Sequence, residues 1–174
     1  VIVDLVNPQW SYGTSSINRV RDGAEADTVD VTIIGSDKYY KSNSLTTDNI
    51  KVYVDGKLEA SITKELQQIT DASTLKALAV KQKLQDVQNL KLVGYKLTLG
   101  NFGKINGETK ITIDAGTIFD ESDNTNIKTE IPVGNPEWVE NGDSSTNPIY
   151  PAFRNNIVDF IKPVIKYKYS AVEG

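Results

Sequence analysis

Apolar side chains recur at every second position over much of this chain. Val29, Val31 and Ile33 alternate with Asp30 and Thr32, and Ile50, Val52 and Val54 alternate with Lys51 and Tyr53. Tyr95, Leu97 and Leu99 repeat the pattern up to Gly100-Asn101, and Ile111 and Ile113 repeat it up to Asp114. A period of two sends successive side chains to opposite faces, so each run predicts a strand with one buried face. Asp55-Gly56 predicts a tight hairpin, because both central residues of such a turn take positive φ, with a return strand over Leu58–Leu66. Gly116 marks a further turn, and Ile2–Val6 reads as an opening strand.

Two stretches break the alternation. From Asp71 to Leu84 the chain is rich in helix formers, free of Gly and Pro, and carries Leu75, Leu78 and Ala79 at helical spacing. With Asp71 as N-cap, this predicts a helix over about 72–87, an excursion between two strands. From Pro132 to Pro151, which holds four of the six prolines, the composition predicts a long irregular loop before a final strand. About eight short strands separated by turns make the expected fold all-β, a β-sandwich.

Length and composition narrow the chemistry. At 174 residues and 19.2 kDa the chain is one domain with a short overhang, large enough to bury roughly two-thirds of its unfolded surface without a metal or disulfide. The absence of Cys, Met and His removes disulfide frameworks, thiolate zinc sites, Cys nucleophiles and His-based catalysis. A net charge of −4 argues against a nucleic-acid partner. No apolar run approaches the roughly 20 residues of a membrane span, so no membrane insertion is expected. The first residue is not Met, and the chain reads as a piece of something longer.

An internal echo supports that expectation. Ile2-Val3-Asp4-Leu5-Val6-Asn7-Pro8 returns as Ile157-Val158-Asp159-Phe160-Ile161-Lys162-Pro163, four of seven positions identical and two more apolar for apolar. The offset of 155 residues also maps Tyr12 onto Tyr167 and Ser15 onto Ser170. Self-similarity at a fixed offset marks a repeat array. The domain is therefore expected over 1–156, with 157–174 as final strand and start of the next repeat, and neighbouring repeats as partners.

Leu45–Gly56, Tyr95–Phe102 and Ile111–Asp120 carry a resemblance. Over roughly residues 28–131 the chain resembles the immunoglobulin-like repeats of large bacterial surface proteins, adhesins and S-layer-type proteins among them. In those domains a central strand pair is followed by a turn like Gly116-Thr117-Ile118-Phe119-Asp120. The resemblance implies an immunoglobulin-like sandwich in an extracellular, wall-attached protein, with a spacer or adhesive role. The helical excursion and the Pro-rich loop depart from the compact family form.

Candidate chemistry is sparse. Asp120, Ser122, Asn124 and Asn126 place oxygens at alternate positions, as calcium loops do, although the Gly and final Glu of an EF-hand loop are missing. The competing reading is a solvated acidic turn. Asn155, Asn156 and Asp159 are conceivable partners in an intramolecular isopeptide bond, with Asp4 or Asp30 as acid, but no Lys precedes Lys38 to serve from a first strand. Trp138 and Trp10 are the candidate ligand-binding residues, with Tyr39, Tyr40 and Tyr150 completing an aromatic platform for a host glycan or matrix protein. No nucleotide loop, nucleophile elbow or dinucleotide fingerprint occurs, so no enzyme and no cofactor are expected. The alternative to a spacer or adhesive domain is a carbohydrate- or host-ligand-binding accessory module of a secreted enzyme.

Overall fold

The computed structural model describes residues 4–13, 15–18, 28–102, 105–140 and 151–159. Thirteen strand segments and one α-helix follow one another along these residues. They are β1 (Gln9–Tyr12), β2 (Ser16–Asn18), β3 (Thr28–Asp37), β4 (Tyr40–Asn43), β5 (Ile50–Val54), β6 (Lys57–Leu58) and β7 (Thr63–Ile69). Then come α1 (Ala72–Lys81), β8 (Lys91–Gly100), β9 (Asn106–Ile113), β10 (Ile118–Asp120), β11 (Thr129–Val133), β12 (Asn135–Glu140) and β13 (Pro151–Asp159).

All strand pairs are antiparallel. One sheet runs β1-β3-β8-β7, with β2 also on β3; another runs β12-β13-β9-β5-β6, with β11 on β9; β4 and β10 pair separately. The alternating residues meet between them. Val29, Val31, Ile33, Leu97 and Leu99 from the first sheet face Ile50, Val52, Ile111, Ile113 and Ile131 from the second, all at most 2 % exposed. Burying this apolar surface is the dominant favourable term, and it makes the molecule an all-β sandwich.

The helix does what the strand pattern did not require. It covers the outer face of the first sheet, which explains why Ile34, out of phase with Ile33, is also fully buried. Leu75 lies directly against Gly94 of β8, where any side chain would collide with it. Asp71 caps the helix by accepting from the Thr74 N–H at 2.9 Å. The helix ends at Lys81, short of 87, because the Gln82 side chain turns into the sheet: it accepts from Ser11 Oγ at 2.7 Å and donates to the Thr32 carbonyl at 3.3 Å. Lys83 then takes φ 63°.

Three further expectations are revised. Asp55 and Gly56 both have positive φ, as the hairpin needs, but the return strand β6 lasts two residues. Ile62 is then buried in the core and β7 pairs with β8 in the opposite sheet. The stretch from Pro132 is not a loop: β11 ends at Val133 and β12 occupies 135–140, while 141–150 lie outside the described residues. Pro132 is tolerated because, among the described residues, β11 pairs with β9 alone, on one side, so its missing N–H breaks no ladder. Asp4–Pro8 is irregular, and Val1–Val3 lie outside the described residues.

The path of the chain defines two poles. At one, Asp37 ends β3 opposite Lys91, the start of β8. Ten residues of β8, about 30 Å of extended strand, lead to Gly100 at the other pole. There the Phe102 carbonyl accepts from the Ile105 N–H at 2.8 Å, and β9 begins at Asn106. Asn106 pairs with Asp159.

Candidate functional site

The Asp37 pole gathers the carboxylates. β10 delivers Asp120 beside the end of β3, and the turn after it folds around that side chain. Asp120 Oδ1 accepts from the backbone N–H of Ser122 and of Asn124, each at 2.9 Å, and Oδ2 accepts from Asn124 Nδ2 at 2.8 Å. This is the Asx-turn geometry for which Asp and Asn are favoured, and Asp123 within it takes φ 62°. Asn124 Nδ2 also donates to the Asp4 carbonyl at 2.8 Å, pinning the N-terminal segment to the turn. Asp37 Oδ2 accepts from the Tyr39 N–H at 2.7 Å.

Carboxylate oxygens of Asp4, Asp37 and Asp120 lie within 4.8 Å of one another, two of the three residues being buried. Burial pushes the Asp37 carboxyl above its ordinary range; the Tyr39 N–H opposes this and the nearby Asp120 and Asp4 charges add to it. Burial also acts upward on Asp120, but the donors from Asn124 and Ser122 and the contact with Asp4 outweigh it and hold that carboxyl low. A cavity of about 440 Å³ bordered by Asp4, Asp37, Tyr39, Lys83 and Leu90 opens beside the group. Three carboxylate oxygens are donors suited to a hard divalent cation.

The sequence leaves 120–126 open between a calcium loop and a solvated acidic turn, and the geometry is neither. Asp120 is fully buried rather than solvated, and its acceptors are taken by its own turn. Asn126 faces away: its Oδ1 accepts from the N–H groups of Thr117 at 2.8 Å and Ile118 at 3.0 Å, and its Nδ2 donates to the Asp114 and Ile127 carbonyls. The residues that do meet Asp120, namely Asp4 and Asp37, were not paired by any sequence signal, since they stand far apart in the chain.

The aromatic candidates do not assemble into a platform among the described residues. Trp10 is 5 % exposed and belongs to the core, its ring 6.2 Å from that of Tyr95 and its Nε1 donating to Thr117 Oγ1 at 2.9 Å. One edge of it borders a cavity of about 340 Å³ with Pro8, Asn126 and Ile127. Tyr39 and Tyr40 are half-buried, and the Tyr40 hydroxyl accepts from Asn43 Nδ2 at 2.9 Å. Trp138 lies on strand β12, its Cα opposite Phe153, and not in a loop; its side chain and Tyr150 lie outside the described residues. Asp30, a conceivable isopeptide acid, accepts from Thr98 Oγ1 at 2.8 Å and stands 3.7 Å from Lys96 Nζ, at a half-exposed site. Among the described residues, no helix is long and apolar enough to cross a membrane.

No protein-family model, no curated protein and no solved structure matches this chain.

Proposed function

We propose that this chain is a non-enzymatic, extracellular module of a tandem-repeat bacterial surface protein, an immunoglobulin-like sandwich whose work is to space and present other domains. The observation that carries this reading is the path of the chain. It is anchored at the Asp37 pole through Asp4, and β13 reaches the opposite pole at Asp159. A module threaded from pole to pole extends an array by its full length with every copy. The echo of 2–8 at 157–163 supplies the array. Burial of Trp10 in the core also favours a spacer, because a binding module would present the indole at the rim of a groove. Stability resides in the two-sheet core, which needs no disulfide.

The test is a binding screen of the chain against glycans and host matrix proteins, with Trp138→Ala alongside. A spacer gives no specific binding. Specific binding that Trp138→Ala abolishes would make the chain a ligand-binding module instead, adhesive or accessory to a secreted enzyme.

A further inference from the structure

We infer, resting on the repeat reading, that consecutive copies of this module abut without a free linker, because one residue belongs to both. Asp159 is the 155-residue equivalent of Asp4. In the upstream copy it is still strand, paired with Asn106 at the start of β9. In the downstream copy its equivalent is already fixed: the Asp4 carbonyl accepts from Asn124 Nδ2 at 2.8 Å and its Oδ1 accepts from the Val6 N–H at 2.9 Å. Between the Asn106–Asp159 pairing of one module and the Asp4 anchor of the next there are no intervening residues.

The seam accounts for exposed apolar side chains beside the shared position. Leu5 and Val6, which directly follow the shared position, are 85 % and 65 % exposed, and Ile127, which lines a cavity with Asn7 and Pro8, is 74 % exposed. Large apolar side chains left this exposed beside a junction are suited to a contact surface. The occupant is the Asn106 pole of the preceding copy, which the shared residue holds against them. The equivalents Phe160 and Ile161 keep the apolar character of Leu5 and Val6. The two residues that follow the shared Asp159, Phe160 and Ile161, are bulky and apolar, unlike the glycine- and serine-rich run of a flexible linker.

The experiment is a fusion in which Asp159 of one complete copy is followed directly by Leu5 of a second. Because the chain has no Cys, nitroxides can be placed at Lys57→Cys upstream and Lys91→Cys downstream and their separation measured by double electron–electron resonance. The expected result is one narrow distance distribution that widens roughly twofold when Gly-Gly-Ser-Gly is inserted after Asp159, and that widens also with Asn124→Ala in the downstream copy alone. Equal widths with and without the insert, in a fusion whose two copies both unfold as the single module does, would overturn the linkerless junction and leave the repeat reading standing. A downstream copy that shows no cooperative unfolding would overturn both.

Discussion

The indole Nε1 of Trp10 donates a hydrogen bond to Oγ1 of Thr117, 2.9 Å away and 107 positions along the chain. Thr117 directs its own hydroxyl proton to the Asp114 carbonyl at 3.1 Å, which leaves a lone pair for the indole. The bond ties the first strand to the turn that begins β10, and so fixes the segment after Asp4 to the pole where the carboxylates meet.

Thr117→Val therefore strands a buried indole N–H, at a cost of about 1–3 kcal/mol. Trp10→Phe removes the donor as well as ring volume. Urea unfolding of both single variants and the double variant checks the coupling: the double loss is expected to fall short of the sum, and strict additivity would contradict the bond's role.

Asn126 is 3 % exposed and holds four backbone groups at once. Asn126→Ala orphans the Thr117 and Ile118 N–H groups and is expected to cost about 2–4 kcal/mol in urea unfolding. Asn126→Asp keeps the acceptor but turns a carboxylate toward the Asp114 and Ile127 carbonyls, and is expected to be no better than alanine at pH 7.

Gly94 gives Leu75 its seat on the sheet. Gly94→Val is expected to destabilise by about 1–3 kcal/mol through overpacking, and Leu75→Ala by about 2–4 kcal/mol through the cavity it leaves. Combining Gly94→Ala with Leu75→Ala relieves the clash, so the double variant is expected to be more stable than the two single losses imply.

The carboxylate pole makes a pH prediction of definite sign. The Asp37 carboxyl is raised above its ordinary 3.8, so the folded state holds that proton more tightly, and the group lowers stability as pH rises through its folded value. Asp120 is held below 3.8, so its contribution is present above that value and lost as pH falls through the folded one. Asp37→Asn keeps an acceptor for the Tyr39 N–H and removes the like charge. Its melting temperature is expected to exceed the wild type at pH 7, with the gap closing at pH values below 3.8. A gap independent of pH would contradict the assignment.

The core strands were legible because alternation is local: Val29, Val31 and Ile33, or Ile111 and Ile113, carry their burial in their spacing. The start of the helix was legible for the same reason, in the Asp71 cap. Its end was not, since Gln82 leaves the helix to bond Ser11 and Thr32, contacts 71 and 50 positions away. The crossing from β6 to β7 was hidden because an apolar run does not say which sheet it joins. The strands around Pro132 were hidden by proline, whose penalty vanishes on a one-sided strand. Asp4, Asp37 and Asp120 meet only through the closure of the sandwich, and no pattern along the chain announces them.

The central claim is that the chain runs from pole to pole. Its direct measurement is the distance between nitroxides at Leu5→Cys and Asp159→Cys in the otherwise cysteine-free chain. A separation of about 30 Å or more, the length of a ten-residue strand, is the expected result. A separation below about 20 Å, placing both attachments at one end of the strands, would contradict it.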